Sequence, residues 1–234
     1  MSSVPPVVVF DVNETLSDLA PLADRFEQVG LPAHAASLWF ARVLRDGFAL
    51  TAVGASATFA ELGGHLLREL LLVHDVDASA AGGTVEDAVG TVLDGLARLP
   101  LHPDVVEGVR GLRTDGFRLL TLSNGSAAVA EELLTRAGVR AEFEAVLSVE
   151  DAGVWKPGRG AYEDALRRVG VPPADAVLVA VHPWDVDGAA RAGLRTAWVD
   201  RTGGGRSPYP GSFTAPTWRV GDLRDLRQQL GAAR

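Results

Sequence analysis

Short apolar runs and helical patterns alternate along much of the chain. Four runs have the length and composition of buried strands: 7–10 (VVVF), 117–123 (FRLLTLS), 176–181 (AVLVAV) and 195–200 (RTAWVD). Helical patterns separate the last three of these runs, at 127–138, 161–170 and 187–193. Buried strands that alternate with helices are typical of a parallel sheet with helices on both faces. The pattern therefore predicts an α/β fold, a Rossmann-like doubly wound parallel sheet.

Residues 19–97 have a different pattern, with no convincing strand. Helical stretches fill this region, at 19–30, 34–54, 58–73 and 84–99. An all-helical insertion after the first strand is the simplest interpretation. It predicts an α/β core of residues 1–18 and 98–234 and a helical cap of residues 19–97. The segment 201–212 (RTGGGRSPYPGS) is predicted to be a flexible loop, because Gly, Pro and Ser dominate it.

Composition narrows the class of protein. The 234 residues include 47% hydrophobic and 22% charged residues, which suits a soluble globular chain able to bury a sizeable core. A net charge of −8 argues against binding to nucleic acids or to a membrane surface. The chain contains no cysteine, so disulfides, thiolate zinc sites and a cysteine nucleophile are excluded. The sequence shows no signal peptide or membrane span, which predicts a cytoplasmic protein. The sequence does not determine the oligomeric state, and a homodimer is one alternative.

Polar residues follow the predicted strands. The first strand ends at Asp11, the second at Ser123, and HPWDVD follows the run 176–181. In open α/β sheets, ligands bind beyond the carboxyl ends of the strands, where helix N-termini offer free backbone N–H groups. The segment WKPG could add a fourth polar group, Lys156. This residue is the only lysine in a chain whose other 21 basic residues are all arginine.

The motifs together resemble those of the haloacid dehalogenase superfamily, and the chain looks closest to its type II 2-haloacid dehalogenase branch. The matching segments occur in the family's order: FDVNETL (10–16), LTLSNGS (120–126), WKPGRGAYEDAL (155–166) and AVHPWDVDGAARAGLRTAWV (180–199). Each motif alone is weak, and four in the correct order and spacing are specific. The segment LWF (38–40) and its surroundings extend the likeness into the helical insertion.

The resemblance implies a role for each motif residue. Asp11 would be the nucleophile, whose carboxylate forms a covalent ester that water then hydrolyses. Thr15 and Ser123 would hydrogen-bond this carboxylate or the substrate, and the backbone N–H groups from Asn124 to Ser126 would hold a substrate carboxylate. A compact ammonium at Lys156 would keep Asp11 ionised, where a guanidinium would need more room and a planar partner.

The acid motif after the third run adds two further candidates. In the family, the acid at the position of Asp185 helps to position water or, in phosphatases, holds Mg²⁺. His182 precedes it and is a candidate proton carrier or polar clamp, against the simpler interpretation of a structural histidine. The catalytic set predicted from the sequence is therefore Asp11, Thr15, Ser123, Lys156, His182 and Asp185.

Two positions depart from the family's pattern. Asn13 stands where phosphatases of the superfamily have a second aspartate and where type II dehalogenases have tyrosine. An amide cannot donate and take back a proton, so phosphate-ester hydrolysis and a need for Mg²⁺ are disfavoured and no cofactor is expected. Phe40 stands where dehalogenases have an arginine that meets the leaving halide. Arg42 or Arg45 could take over the role of this missing arginine.

The predicted substrate-binding residues lie in both the insertion and the core. Trp39, Phe40 and Phe48 would form an apolar wall of the site, or else pack between helices of the insertion. The full predicted set is Asn13, Trp39, Phe40, Arg42, Asn124 and Trp184.

The sequence supports one main hypothesis and leaves others open. The main one is a hydrolase that displaces a leaving group, halide or amine, at C2 of a small carboxylic acid through an Asp11 ester. With an amine as leaving group, this would include opening a cyclic amino acid such as azetidine-2-carboxylate. A Mg²⁺-dependent phosphatase of a small metabolite and a catalytically silent binding protein are the alternatives. Asn13 disfavours the first of these alternatives, and the intact set of motif residues disfavours the second.

Overall fold

The centre of the molecule is a six-stranded parallel sheet. A computed structural model describes residues 7–77, 83–202 and 208–232. The strands lie in the order β3–β2–β1–β4–β5–β6, and every neighbouring pair is parallel. Their bounds are β1 Val7–Phe10, β2 Arg118–Ser123, β3 Ala145–Ser148, β4 Ala176–Ala180, β5 Arg195–Val199 and β6 Trp218–Val220. The predicted fold class is confirmed, and the sequence analysis missed β3 and β6.

Helices cover both faces of this sheet. In the described part of the chain they are α1 Leu22–Gln28, α2 Ala35–Ala52, α3 Phe59–Val73, α4 Val85–Ala97, α5 Val105–Thr114, α6 Ala127–Arg136, α7 Arg159–Val169, α8 Pro183–Arg191 and α9 Leu223–Ala232. Val8 and Phe10 of β1 face a core shared with α5, α6 and α9. Val7 and Val9 face the opposite core, shared with α7, α8 and helices of the insertion. The alternation of β1 side chains between two apolar layers explains why all four are buried.

The region between β1 and α5 contains the helices α1 to α4 and no strand among its described residues. Capping boxes begin two of these helices. In the first, the Thr58 hydroxyl accepts a hydrogen bond from the Glu61 N–H at 3.2 Å, and the Glu61 carboxylate accepts one from the Thr58 N–H at 2.7 Å. This reciprocal pairing satisfies N–H groups that the first turn of a helix leaves free.

The two chain segments that lead into and out of this helical region run side by side. Ser17 forms an antiparallel bridge with Leu101, and the Asp18 N–H donates to the Pro100 carbonyl oxygen at 2.9 Å. Both segments therefore leave the sheet at one place. This arrangement is consistent with the predicted boundaries near residues 18 and 98, and the division into core and cap stays a prediction.

Helix α2 contacts the loop that precedes α7 through the Trp155 side chain. The Trp155 indole N–H donates to the Ala57 carbonyl oxygen at 3.0 Å, and the Trp155 backbone N–H donates to the Thr51 hydroxyl at 3.0 Å. Gly47 lies directly beneath the ring, where an added Cβ would come within 2.3 Å of it. A glycine is needed here because helix and indole approach each other so closely.

The segment predicted to be a flexible loop is only partly described, because residues 203–207 lie outside the described residues. In the described remainder, the Tyr209 ring packs against Trp198 with 5.1 Å between the ring centroids, and Tyr209 is buried. No helix in the described ranges is both long and apolar enough to cross a membrane.

Candidate active site

Asp11 lies directly beyond the carboxyl end of the central strand β1. Its N–H continues the sheet by donating to the Val179 carbonyl oxygen of β4 at 3.0 Å. We call residues 11–16 the Asp11 loop. The Asp11 side chain is 5% exposed, so its carboxylate has almost no contact with solvent and depends on protein partners.

Lys156 bridges two buried carboxylates. Its Nζ donates to Asp11 Oδ1 at 2.8 Å and to Asp185 Oδ2 at 2.7 Å, and Lys156 and Asp185 are both 0% exposed. The Asn124 side chain holds the main chain of Lys156, because its Oδ1 accepts from the Lys156 N–H at 2.9 Å and its Nδ2 donates to the Lys156 carbonyl oxygen at 3.2 Å. The loops after β1 and β2 and the first turn of α8 therefore meet at Lys156, in the segment before α7.

Burial and the neighbouring charges shift the pKa values of the two carboxylic acids in opposite directions. Burial alone would raise the pKa of Asp11, but the charges of Lys156 and His182 and the hydrogen bonds of Lys156 and Thr15 outweigh burial and lower it. Burial raises the pKa of Asp185, and Lys156 offsets this only in part. Burial would lower the pKa of Lys156, but the two carboxylates raise it. Asp11 is thus the acid held as a carboxylate, the form that acts as a nucleophile.

Tyr162 is a member of the cluster that the sequence analysis missed. Its hydroxyl donates to Asp185 Oδ1 at 2.6 Å from the first half of α7. Burial raises the pKa of Tyr162 well above its ordinary value, so the hydroxyl keeps its proton and remains a donor. Tyr162 falls on the buried face of α7, and a buried tyrosine needs a partner for its hydroxyl. That requirement was the available signal, although it does not identify the partner.

Thr15 holds the second oxygen of Asp11. Its hydroxyl donates to Asp11 Oδ2 at 2.6 Å and accepts a hydrogen bond from the Val181 N–H at 3.1 Å. Because the Val181 N–H occupies the acceptor side of the hydroxyl, the proton of Thr15 is directed towards Asp11. Lys156 and Thr15 together therefore fix both oxygens of the carboxylate.

Ser123 and Asn124 precede the N-terminus of α6. The Ser123 hydroxyl accepts from the Gly125 N–H at 2.9 Å, and Ser126 caps the helix by accepting from the Ala128 N–H at 3.1 Å. A cavity of about 110 Å³ lies beside this turn. Asn13, Ser123, Gly125 and Ser126 form its polar side, and its apolar side includes Phe59, Leu93 and Leu96. A helix N-terminus beside a small cavity suits an anionic group such as a carboxylate.

His182 lies between Asp11 and a group of aromatic rings. Its Nε2 is 3.7 Å from Asp11 Oδ2 and 3.2 Å from the Asn13 carbonyl oxygen. The Trp184 ring stacks on the imidazole with 4.9 Å between centroids, and the Phe40 ring lies 6.4 Å away on α2. Phe48 in turn contacts Trp184 at 4.9 Å. These aromatic residues join helix α2 to the acid motif.

The other predicted residues of the insertion have partners within it. The Trp39 indole N–H donates to the Gly63 carbonyl oxygen at 3.0 Å, and its ring contacts Phe26 and Phe59. Arg42 forms an ion pair with Glu69 at 2.7 Å, and Arg45 forms one with Asp46 at 2.7 Å. The structure therefore places Trp39 among the helices of the insertion and gives both arginines a carboxylate there. A contact of Trp39 or Arg42 with substrate stays a prediction.

The phosphatase alternative would require Mg²⁺ at this cluster of side chains. Within the described ranges, no group of three or more His, Asp or Glu side chains is arranged to hold a metal ion. Each oxygen of Asp11 and Asp185 already accepts a hydrogen bond, from Lys156, Thr15 or Tyr162. Mg²⁺ requires several oxygen ligands in near-octahedral geometry, and these residues do not fit that requirement.

Comparison with known proteins identifies the family of the chain. A family profile described as haloacid dehalogenase-like hydrolase matches residues 5–193. Haloacetate dehalogenase H-2 of Moraxella sp. (strain B) is 30% identical over 84% of this chain and 86% of its own. A solved L-2-haloacid dehalogenase is 29% identical with a TM-score of 0.87 and covers 98% of this chain and 100% of its own.

A phosphatase is also similar over part of the chain. Phosphoserine phosphatase of Thermus thermophilus is 38% identical over 130 residues, which are 55% of this chain and 51% of the phosphatase. The relatives aligned over most of their length are the dehalogenases, so the resemblance to the type II dehalogenase branch is confirmed. The chain is an enzyme and belongs to the haloacid dehalogenase-like hydrolases.

Proposed function

We propose that this hydrolase displaces halide from C2 of a small 2-haloacid through an ester on Asp11. One observation carries the proposal: Asp11 is a buried carboxylate held in its ionised form, with Lys156 on one oxygen and Thr15 on the other. A nucleophile needs this combination of charge and fixed orientation. The similarity to dehalogenases over most of the chain supports the same conclusion.

The reaction would proceed in two steps. An oxygen of Asp11 attacks C2, the carbon–halogen bond breaks, and halide leaves with the bonding electron pair. Water then attacks the carbonyl carbon of the ester, which releases the 2-hydroxy acid and one proton and restores the carboxylate. Lys156 would stabilise the charge that develops on the Asp11 oxygen during hydrolysis.

The substrate would occupy the cavity beside α6. Its carboxylate would accept hydrogen bonds from the N–H groups of Asn124 and Ser126, and Ser123, which accepts from the Gly125 N–H, would donate to the same group. The apolar side of the cavity would take the alkyl part of the acid. Asn13, Phe40 and Trp184 would contact the substrate from its other sides. Helices of residues 19–97 would act as the cap that closes this cavity.

Asp185 and His182 would serve the hydrolytic step. Asp185 lies 2.7 Å from the Lys156 ammonium and would help to orient water towards the ester. His182 Nε2 is 3.7 Å from Asp11 Oδ2, close enough to exchange a proton through one water molecule. His182 would thus act beside an oxygen of Asp11, and Asp185 would act through Lys156.

Phosphatase activity is not favoured. Asn13 has no carboxylic acid that could donate and take back a proton, and no group of three or more His, Asp or Glu side chains among the described residues could hold Mg²⁺. We propose that the reaction needs no metal or organic cofactor. The cytoplasmic location and the homodimer stay predictions from the sequence.

Isotope labelling of the protein tests the ester. The enzyme is incubated with a panel of 2-haloacids and azetidine-2-carboxylate in H₂¹⁸O over many turnovers, and the Asp11 peptide is then weighed by mass spectrometry. The proposal expects halide release from a 2-haloacid and ¹⁸O in Asp11, because water attacks the ester carbonyl. Asp11→Asn is the control and should show neither.

Two results would overturn parts of the proposal. Label that enters the product directly, with none in Asp11, would show that water attacks C2 without an ester. Turnover of the cyclic amino acid alone, with label in Asp11, would keep the ester and replace halide by an amine.

A further inference from the structure

Three consecutive carbonyl oxygens of the Asp11 loop each contact a basic side chain from a distant part of the chain. The pairs are Asn13 with His182 at 3.2 Å, Glu14 with His102 at 3.1 Å, and Thr15 with Arg201 at 2.6 and 3.1 Å. Main-chain carbonyls in such a short loop cannot all pair within it. The loop is therefore held from outside, by side chains that come from three separate segments.

The loop needs this support because its backbone is strained. Glu14 has φ 63°, in the left-handed region that residues other than glycine seldom adopt. Such a conformation is unfavourable and persists where the surroundings impose it. The donors on both sides of Glu14 supply that constraint.

Arg201 is held in turn by the buried carboxylate of Asp104. It donates to Asp104 Oδ1 at 2.8 Å, and Asp104 Oδ2 also accepts from the Leu223 N–H of α9 at 2.9 Å. Burial would raise the pKa of Asp104, but the hydrogen bond and charge of Arg201 outweigh burial and lower it. The planar guanidinium of Arg201 donates to the Asp104 carboxylate and to the Thr15 carbonyl oxygen at the same time.

The contact reaches Asp11 through one residue. Arg201 fixes the carbonyl of Thr15, and the hydroxyl of the same Thr15 donates to Asp11 Oδ2 at 2.6 Å. A shift of the Thr15 backbone would therefore move or break the hydrogen bond that orients the carboxylate. A displacement of about 1 Å in a reacting group can cost on the order of 10²-fold in rate.

We propose that Arg201, held by Asp104, is a positioning residue for Asp11: it fixes Thr15 so that the Thr15 hydroxyl orients the carboxylate for attack. The inference rests on Asp11 as the nucleophile of the proposed function. It makes no use of a contact between Arg201 and substrate.

Arg201→Met and Arg201→Lys test the proposal, with Arg118→Met as the matched control. Arg118 likewise pairs with a carboxylate, Glu144 at 2.6 Å, and donates to a main-chain carbonyl, that of Val169 at 3.2 Å. Arg118 begins β2 and is in register with Val7, so it lies at the amino edge of the sheet, opposite the carboxyl edge that carries Asp11. We expect kcat to fall about 10²-fold in Arg201→Met with little change in KM. Arg201→Lys, which keeps the charge and a donor, should recover part of the loss, and Arg118→Met should keep the full kcat.

A measurement that needs no substrate tests the role of Arg201 independently of the proposed reaction. The titration of Asp11 is followed by NMR of ¹³C-labelled carboxyl groups. In Arg201→Met it should move to higher pH, because the Thr15 hydrogen bond that lowers the pKa of Asp11 is weakened. The charged groups that face Asp11 remain in both variants, namely Lys156, His182, Glu14 and Asp185.

Each outcome decides the question. Equal losses of thermal stability in the Arg201 and Arg118 variants, with kcat and the Asp11 titration unchanged, would overturn the proposal and leave Arg201 a structural role. If the wild type releases no halide but the titration moves in Arg201→Met and not in Arg118→Met, the substrate is wrong and the positioning role stands. If Arg201→Met does not fold, Arg201→Lys and Asp104→Asn take its place. An Asp11 titration and a kcat equal to those of the wild type in both variants would overturn the proposal. An Asp11 titration at higher pH in both variants would support it.

Discussion

Replacing Lys156 by methionine removes the ammonium that bridges the two buried carboxylates of the site. Methionine keeps much of the apolar stem but lacks the hydrogen bonds to Asp11 at 2.8 Å and to Asp185 at 2.7 Å. The cluster of two carboxylates and one ammonium would become two carboxylates in a closed space. Removing one partner of a buried ion pair costs about 3–5 kcal/mol of unfolding free energy. Removing one donor to a reacting oxygen costs about 10²–10³-fold in kcat.

The variant should also change the dependence of stability on pH. In the wild type the pKa of Asp11 is lowered, so its contribution is present above the unfolded value of 3.8 and is lost as the pH falls. Without Lys156, the folded variant would bind a proton on the Asp11–Asp185 pair that the unfolded chain does not bind at pH 7. The raised pKa of Asp185 acts in the same direction in the wild type, so the variant should gain more stability than the wild type as the pH falls from 7 to 5.

Urea unfolding at pH 5 and 7 and kcat/KM as a function of pH test this reasoning. The acid limb of kcat/KM should move to higher pH in Lys156→Met, because Asp11 must lose its proton to attack. Lys156→Arg keeps the charge but places a planar guanidinium in a fully buried slot, so its rate should also fall. Full activity of Lys156→Arg would show that charge alone suffices. Full activity of Lys156→Met, with stability at pH 5 no higher than at pH 7, would refute the role given to Lys156.

Three further predictions follow from the same contacts. Tyr162→Phe removes the hydrogen bond to Asp185 at 2.6 Å, so urea unfolding should show a loss of about 1.5–3 kcal/mol of unfolding free energy. The fall in kcat should be smaller than in Lys156→Met. An equal fall in kcat would contradict the separate roles of the two acids. Gly47→Ala places a Cβ 2.3 Å from Trp155 and should cost about 1–3 kcal/mol of unfolding free energy. Its control, Gly90→Ala, meets nothing within 4 Å in α4 and should gain about 0.5–1 kcal/mol. EDTA should leave halide release from 2-haloacids unchanged, and activity lost to EDTA and restored by Mg²⁺ would favour the phosphatase.

Local sequence patterns predicted the four central strands of the sheet but not the two edge strands. The four central strands are continuous buried runs, and each was found close to its observed bounds. The strands β3 and β6 were missed because they lie at the sheet edges: β3 is four residues long and mostly half-buried, and β6 is three residues long. Short edge strands lack the continuous apolar run that identifies a buried strand.

The helix α8 was predicted to begin at residue 187, and this bound was wrong by four residues. It begins at Pro183, because proline suits the first turn of a helix, where its missing N–H is not needed. The correction places Asp185 within the first turn of α8, at the carboxyl edge of the sheet. Pairings between distant residues were beyond local patterns. The ion pair of Arg42 with Glu69 and the hydrogen bond of Tyr162 to Asp185 depend on how helices pack, which no short segment encodes.

The central position of β1 also determines when the site can form during synthesis. Val7 pairs with Arg118 of β2 and with Ala176 of β4, so both neighbours of β1 are made more than 100 residues after it. Until then the ribosome has released an apolar strand with two unpaired edges, followed by helices that can fold on local contacts. Asp11 reaches its partners only after about three quarters of the chain has emerged. A change that slows the docking of β4 would therefore lower the yield of soluble enzyme in cells even where the finished enzyme is fully active.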